Sequence, residues 1–270
     1  MTEKHFDKCT DKYTDKCADK HTNKYWIKTK EIYFIRHGQT DWNNLNKPQG
    51  CEHDISLNAN GKIQAMNTGK YLAKYRLNST PFDLIISSGL TRANQTAQLI
   101  ADQIAYNKKI LIMSKLKEKC HGKLGGMTKT DKKQLAHIDP HMKKLLHMYK
   151  LIKHNPDPIN QIESYNVINR MEHKYFGTEL QIDFEKRIKQ SIRNIYERPE
   201  KKIIIISHGT TIQNILRILT NIEDYIIGEF PNGSNCHISF IKVYKRYLLS
   251  NKIKYRTKIV KLLNTLHLSQ

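Results

Sequence analysis

From residue 31 onward the chain alternates short apolar runs with longer helical ones, and that rhythm constrains the fold more than any other feature. "IYFIR" (32–36), "FDLIISS" (82–88), "KILIM" (109–113) and "KIIIIS" (202–207) are dominated by Ile, Leu, Phe and Tyr and bounded by polar turns. Short runs of this kind read as strands covered on both faces. The stretches between them have helical spacing: "LNANGKIQAMNTGKYLAKY" (57–75) with Asn58 or Asn60 as N-cap, then 91–104, 183–196 and "TIQNILRIL" (211–219). "CHISFIKVY" (236–244) and "KYRTKIVKLL" (254–263) add a fifth and a sixth strand. The fold class expected is α/β: a three-layer α/β/α sandwich around a mostly parallel six-stranded sheet. A lysine-rich helical stretch over 128–153, followed by the breaker "NPDP" (155–158), forms a helical insertion over the site, spanning about 127–176.

Residues 1–28 are different. They are largely a degenerate tetrapeptide repeat (FDKC, TDKY, TDKC, ADKH, TNKY) without apolar periodicity, expected to be a disordered tail ahead of a single domain at 29–270. The five cysteines are odd in number and scattered without a CxxC pair. With no signal-like leader, this predicts a reducing, cytoplasmic location and no disulfide framework. No zinc spacing and no run of about 20 apolar residues is present, so neither a metal nor a membrane span is expected. The formal net charge of +21 suits phosphorylated metabolites, nucleic acid or an anionic surface. General over-use of lysine explains it equally well. Aromatic residues are not interleaved with the lysines in a stacking pattern, which argues against nucleic acid.

In parallel sheets the site lies beyond the carboxyl ends of the strands. Three strands end in polar clusters: Arg36-His37-Gly38, then Ser87-Ser88 with Arg92 one turn on, then Ser207-His208-Gly209. If these strands are neighbours, two histidines and two arginines converge. That set suits phosphoryl transfer through nitrogen. A neutral imidazole attacks phosphorus and divides one hard displacement into two easier ones, while guanidinium forks hold the phosphoryl oxygens.

"RHGQTDWN" (36–43) resembles the signature of the histidine phosphatase superfamily, the phosphoglycerate-mutase-like enzymes. "QGCEHDISLNANGKIQA" (49–65), "SSGLTRANQTA" (87–97), "LKEKCHG" (116–122), "IIIISHGTTI" (203–212), "PNGSNCHIS" (231–239) and "LLNTLHL" (262–268) are similar to its later segments. The resemblance implies His37 as nucleophile, His208 as the second histidine and Glu118 as general acid. It implies Arg36, Asn43, Arg92 and Gly209 as phosphate-binding residues, with Gln49, Gly50, His121 and Glu179 as weaker candidates. It implies no metal and no cofactor, because the cations are side chains. Two departures matter. After Glu118 the chain reads "GKLGG", with no tryptophan or second glutamate, and Cys120 and His121 stand where the mutases have His and Tyr. The middle segment carries only Arg170 where mutases carry paired arginines. The absent arginine pair and the phosphatase-like closing segments favour a phosphatase acting on a small phosphorylated metabolite over a bisphosphoglycerate-dependent mutase, with a basic scaffold or pseudoenzyme ranked last. A homodimer is left open.

Overall fold

The computed structural model describes residues 16–18, 25–76, 80–154, 157–220, 234–247, 253–265 and 268. The strands are β1 (Lys16–Ala18), β2 (Tyr25–Arg36), β3 (Leu84–Ser87), β4 (Leu111–Ile112), β5 (Lys202–Ser207), β6 (Ile238–Tyr247) and β7 (Ile253–Asn264). The helices are α1 (Asp41–Asn44), α2 (Ala59–Arg76), α3 (Thr91–Gln103), α4 (Lys129–Ile138), α5 (Pro140–Lys153), α6 (Pro158–Phe176), α7 (Gln181–Glu197) and α8 (Gly209–Thr220).

Six strands form a sheet in the order β4-β3-β5-β2-β6-β7. Strands β4, β3, β5 and β2 are mutually parallel, whereas β6 runs against both β2 and β7. The predicted sandwich is therefore present. A seventh strand, β1, pairs antiparallel with the start of β2. Part of the stretch expected to be a tail thus joins the sheet, while residues 1–15 and 19–24 lie outside the described ones.

The alternation of side chains along β5 explains the layers. Ile203 and Ile205 face one apolar cluster, built with Phe184, Ile188, Ile192 and Ile195 of α7 and Ile212, Ile215 and Leu216 of α8. Ile204 and Ile206 face the opposite cluster, with Leu72 of α2 and Ala93, Ala97 and Ile100 of α3. All six residues of β5 are buried, as expected of a strand between two helical layers.

Helices α4 to α6 form a cap with an interior of its own, built on Leu124, Met142, Leu145, Ile152, Ile168 and Phe176. The expected lysine-rich helical stretch is present as two helices. Asp139 ends α4 and caps α5 through its carboxylate, with Pro140 at the first turn. Helix α6 was not foreseen.

Candidate active site

The register of the sheet builds the centre. Arg36 pairs with Ser207 across β2 and β5, so His37 and His208 leave adjacent strands side by side, ring centroids 5.2 Å apart. Ser87 of β3 pairs with Ile206 of β5, which brings Ser88 within 2.7 Å of His208, Oγ to Nε2. Gly38 lets the strand end pack closely on the first turn of α2, because a side chain there would run into the backbone of Gly61. The three strand-end clusters picked out in the sequence meet at one place.

His37 is buried, and its Nδ1 lies 2.7 Å from the carbonyl of Gly38. A carbonyl only accepts, so Nδ1 carries the proton and Nε2 keeps its lone pair. Burial, then the charges of Arg92 and Arg36, hold the His37 pKa well below 6.5. His208 is held down in the same way by burial and then by Arg92, His37 and Arg36. Both rings are therefore neutral in the free protein.

Arg92 is fully buried in the first turn of α3, and burial lowers its pKa to about 10. It remains a cation at neutral pH. One end of its guanidinium donates to the carbonyls of His53 (2.8 Å), Gln49 and Gly50 (both 3.4 Å). Gln49 and Gly50 thus act through Arg92, as its backbone cradle, and the Gln49 side chain donates to Thr40 Oγ1 at 2.6 Å. Arg92 Nε and His208 Nδ1 are buried without a hydrogen-bond partner among the described residues. Such an atom costs about 1–3 kcal/mol if left unsatisfied. Phosphoryl oxygens would satisfy them.

Asn43 belongs to the capping box of α1, and its Oδ1 accepts from the Thr40 N–H (3.0 Å) and from Asn235 Nδ2 (3.1 Å). Asn235 also donates to the His37 carbonyl at 3.0 Å. Its role was missed in the sequence, although the "PNGSNCHIS" segment that carries it was not. Residues 231–233 and 266–267 of the closing segments lie outside the described ones.

Glu118 is buried after β4, and α8 holds it: its Oε2 accepts from the Thr210 N–H (3.0 Å), and its Oε1 from Thr211 Oγ1 (3.2 Å) and the Lys119 N–H (2.8 Å). Gly209 opens this helix, directly after His208. The Glu118 segment is fixed from α7 by Arg187, whose guanidinium donates to the carbonyls of Lys115, Lys117 and Glu118 at 2.6, 2.9 and 3.0 Å. The same guanidinium makes a bidentate pair with Glu179, at 2.7 and 2.9 Å. Glu179 also accepts from the Cys120 N–H at 3.2 Å. It is therefore a support of the Glu118 loop, engaged on both oxygens.

Beside Glu118 lies a cavity of about 240 Å³, walled by Lys119, His121, Lys132, Tyr149, Glu172 and Thr210 among others. Burial lowers the pKa of Lys119, Lys132 and His121, while Glu172 pulls the two lysines the other way. The cap supplies Lys132, Tyr149 and Glu172, and the loop after Glu118 supplies Lys119 and His121, so the insertion meets that loop across the cavity.

One expectation is overturned. Cys51 and Cys120 are disulfide-bonded, with Cα atoms 4.7 Å apart and a separation of 69 positions in sequence. Spacing along the chain could not reveal this, because only the folded loops bring the pair together. Among the described residues, no helix is long and apolar enough to cross a membrane.

Comparison with known proteins agrees with this geometry. Residues 32–147 and 147–253 match the profile of the histidine phosphatase superfamily (branch 1). The chain is 26% identical over 222 residues to a 2,3-bisphosphoglycerate-dependent phosphoglycerate mutase of Pelagibacter ubique, covering 75% of this chain and 87% of that one. It is 29% identical over 185 residues to the uncharacterized phosphatase PhoE of Bacillus subtilis, covering 68% and 75%. Its fold superposes on a phosphoglycerate mutase from Bacillus anthracis with a TM-score of 0.64 at 19% identity, over 90% of this chain and 96% of that one. With two thirds and more of its length matched, and the two histidines and two arginines gathered at one strand-end site, the chain belongs to the histidine phosphatase superfamily, branch 1.

Proposed function

We propose that this protein is a phosphatase that hydrolyses phosphomonoesters through a phosphohistidine on His37. The observation that carries the reading is the state of that residue: a buried, neutral imidazole with Nδ1 tied to the Gly38 carbonyl, set between Arg36, Arg92 and His208. Nε2 attacks phosphorus as the ester oxygen departs. The proton for that oxygen comes from Glu118, and Arg36 and Arg92 neutralise the phosphoryl oxygens. In the second half the Glu118 carboxylate takes a proton from water, and the resulting oxygen nucleophile displaces His37 from phosphorus. Glu118 is then protonated again and inorganic phosphate leaves. Positioned acid–base catalysis of this kind contributes about 10²–10⁴-fold.

The leaving group would occupy the cavity beside Glu118. Two half-buried lysines and one glutamate on its walls suit a small polar alcohol that carries an anionic group. A second reading, bisphosphoglycerate-dependent mutase activity, has support from relatives of that name and from the same lysines, which could hold a second anionic group. Lysine lacks the bidentate fork of arginine, and on that ground hydrolysis ranks first.

The decisive experiment measures phosphate release from p-nitrophenyl phosphate and 3-phosphoglycerate, with and without 2,3-bisphosphoglycerate, in parallel with formation of 2-phosphoglycerate. Steady release that ignores the bisphosphate is expected. Isomerisation that depends on it would replace the phosphatase reading with the mutase one. His37→Ala should lower turnover by roughly 10³-fold or more and abolish the acid-labile phosphoenzyme. Near-normal turnover in that variant would exclude the mechanism.

A further inference from the structure

The chemistry above uses neither Cys51 nor Cys120, yet their bridge joins the two halves of the site. Cys51 follows Gln49 and Gly50, whose carbonyls cradle Arg92 together with that of His53. Cys120 lies two residues beyond Glu118, and its N–H donates to the glutamate that Arg187 holds. The other ties between these segments are hydrogen bonds: the His121 N–H to Glu52 at 3.0 Å and the Gly126 N–H to the Pro48 carbonyl at 2.9 Å. Both bridged cysteines are half-buried and within reach of small reagents, whereas Cys236 is fully buried with its thiol pushed up to about 12.

We propose that Cys51 and Cys120 form a reversible thiol–disulfide switch that sets the placement of Glu118 against the phosphate-holding Arg92. The inference rests on the phosphatase reading and reaches beyond it. The oxidant is a low-molecular-weight disulfide. One cysteine thiolate attacks a sulfur of it and expels one small thiol. The second cysteine then attacks the mixed disulfide and expels the other. Two electrons and two protons have left the protein, and a small thiol pair reverses each step. With the bridge closed, the acid and the arginine cradle are one unit. With it open, the two loops are joined directly by those hydrogen bonds, while Glu118 keeps its contacts to α7 and α8. Intracellular disulfides are mostly transient and catalytic or redox-sensing, so a bridge at this place needs no oxidising compartment.

The test uses a C9S/C17S variant poised in reduced and oxidised glutathione, with thiols counted by alkylation and mass spectrometry. Glu52 lies near both sulfurs, in a group whose ligand atoms are within 4.8 Å of one another, so a chelator is kept present to prevent metal capture by the dithiol. Two substrates are compared. p-Nitrophenyl phosphate has a leaving group that departs without protonation. An alkyl phosphate such as phosphoserine has an alkoxide that needs the proton of Glu118. The rate read is phosphoenzyme formation in a single turnover, before Glu118 acts on water; reduction should slow it for the alkyl phosphate on the order of tenfold, because small misplacements of a catalytic group are costly. It should change phosphoenzyme formation from p-nitrophenyl phosphate by less than about twofold, because that leaving group departs without the proton. C51S should stay at the reduced rate whatever the glutathione ratio. If C51S does not fold, the titration of the C9S/C17S variant decides alone. Rates that ignore the redox state, an equal fall on both substrates, or a thiol count that does not respond to glutathione would each overturn the switch. None of these touches the phosphatase reading, which fails separately if His37→Ala still hydrolyses p-nitrophenyl phosphate.

Discussion

His37 is held neutral first by burial and then by the positive charge around it. Arg36 and Arg92 stand close to both buried rings, and their charges add to the cost of placing a further cation out of water. The substrate reverses the balance. A phosphate dianion brings two negative charges to the point where His208 Nδ1 and Arg92 Nε lack partners, and so favours a proton on the second histidine. Binding of inorganic phosphate or vanadate near neutral pH should therefore take up protons. Calorimetry in buffers of different ionisation enthalpy measures this directly, and His208→Asn should abolish most of the uptake. The same depressed values bear on folding. Between the folded pKa of each histidine and its ordinary value near 6.5, the unfolded chain binds the proton and the folded chain does not. Stability is then complete above about 6.5 and declines as pH falls below it, by about 1.4 kcal/mol per pH unit for each such residue. Urea midpoints measured at a series of pH values check the slope, and His37→Asn should flatten it.

At the scale of elements, Glu118, the proposed acid, is held by a helix that has no part in the proposed chemistry. Arg187 of α7 ties three carbonyls of the Glu118 segment to Glu179, and the pair is four-fifths buried, with side-chain exposures of 19% and 15%. Arg187→Met leaves the Glu179 carboxylate buried without its cation and should cost about 3 kcal/mol. It should also slow phosphoenzyme formation from alkyl phosphates more than from p-nitrophenyl phosphate, whereas a purely structural loss would slow both alike. Thermal unfolding and the two rates separate these outcomes.

This is also the level at which legibility ended. The clusters at 36–38, 87–92 and 207–209 could be read because catalytic groups and turn residues are neighbours in sequence, and the sheet does bring them together. Arg187 could not, since one arginine on an amphipathic helix looks like any solvated charge. Helix α6 escaped because Asn160, Asn166 and Asn169 weaken a helical pattern that its packing in the cap restores. The disulfide and the Asn235 contacts join segments 69 and 192 or more residues apart, beyond the reach of any local pattern.

For the whole molecule, the net charge of +21 is a field as well as a composition. It should draw phosphorylated substrates inward and be screened by salt, with a Debye length of about 10 Å at 0.1 M. Raising ionic strength should therefore lower kcat/KM for dianionic substrates severalfold while leaving kcat nearly unchanged. A salt series at fixed pH tests this, and equal loss in both constants would point to damage within the site. The three apolar interiors lead to a different consequence. Two belong to the faces of the sheet and keep the histidines in register; the third lies inside the cap and is shared with neither. A substitution on a cap helix is paid for in cap packing, so the walls that meet the leaving group can drift in sequence while the strands that carry the nucleophile stay as they are. In such a chain the choice of substrate is free to evolve faster than the reaction.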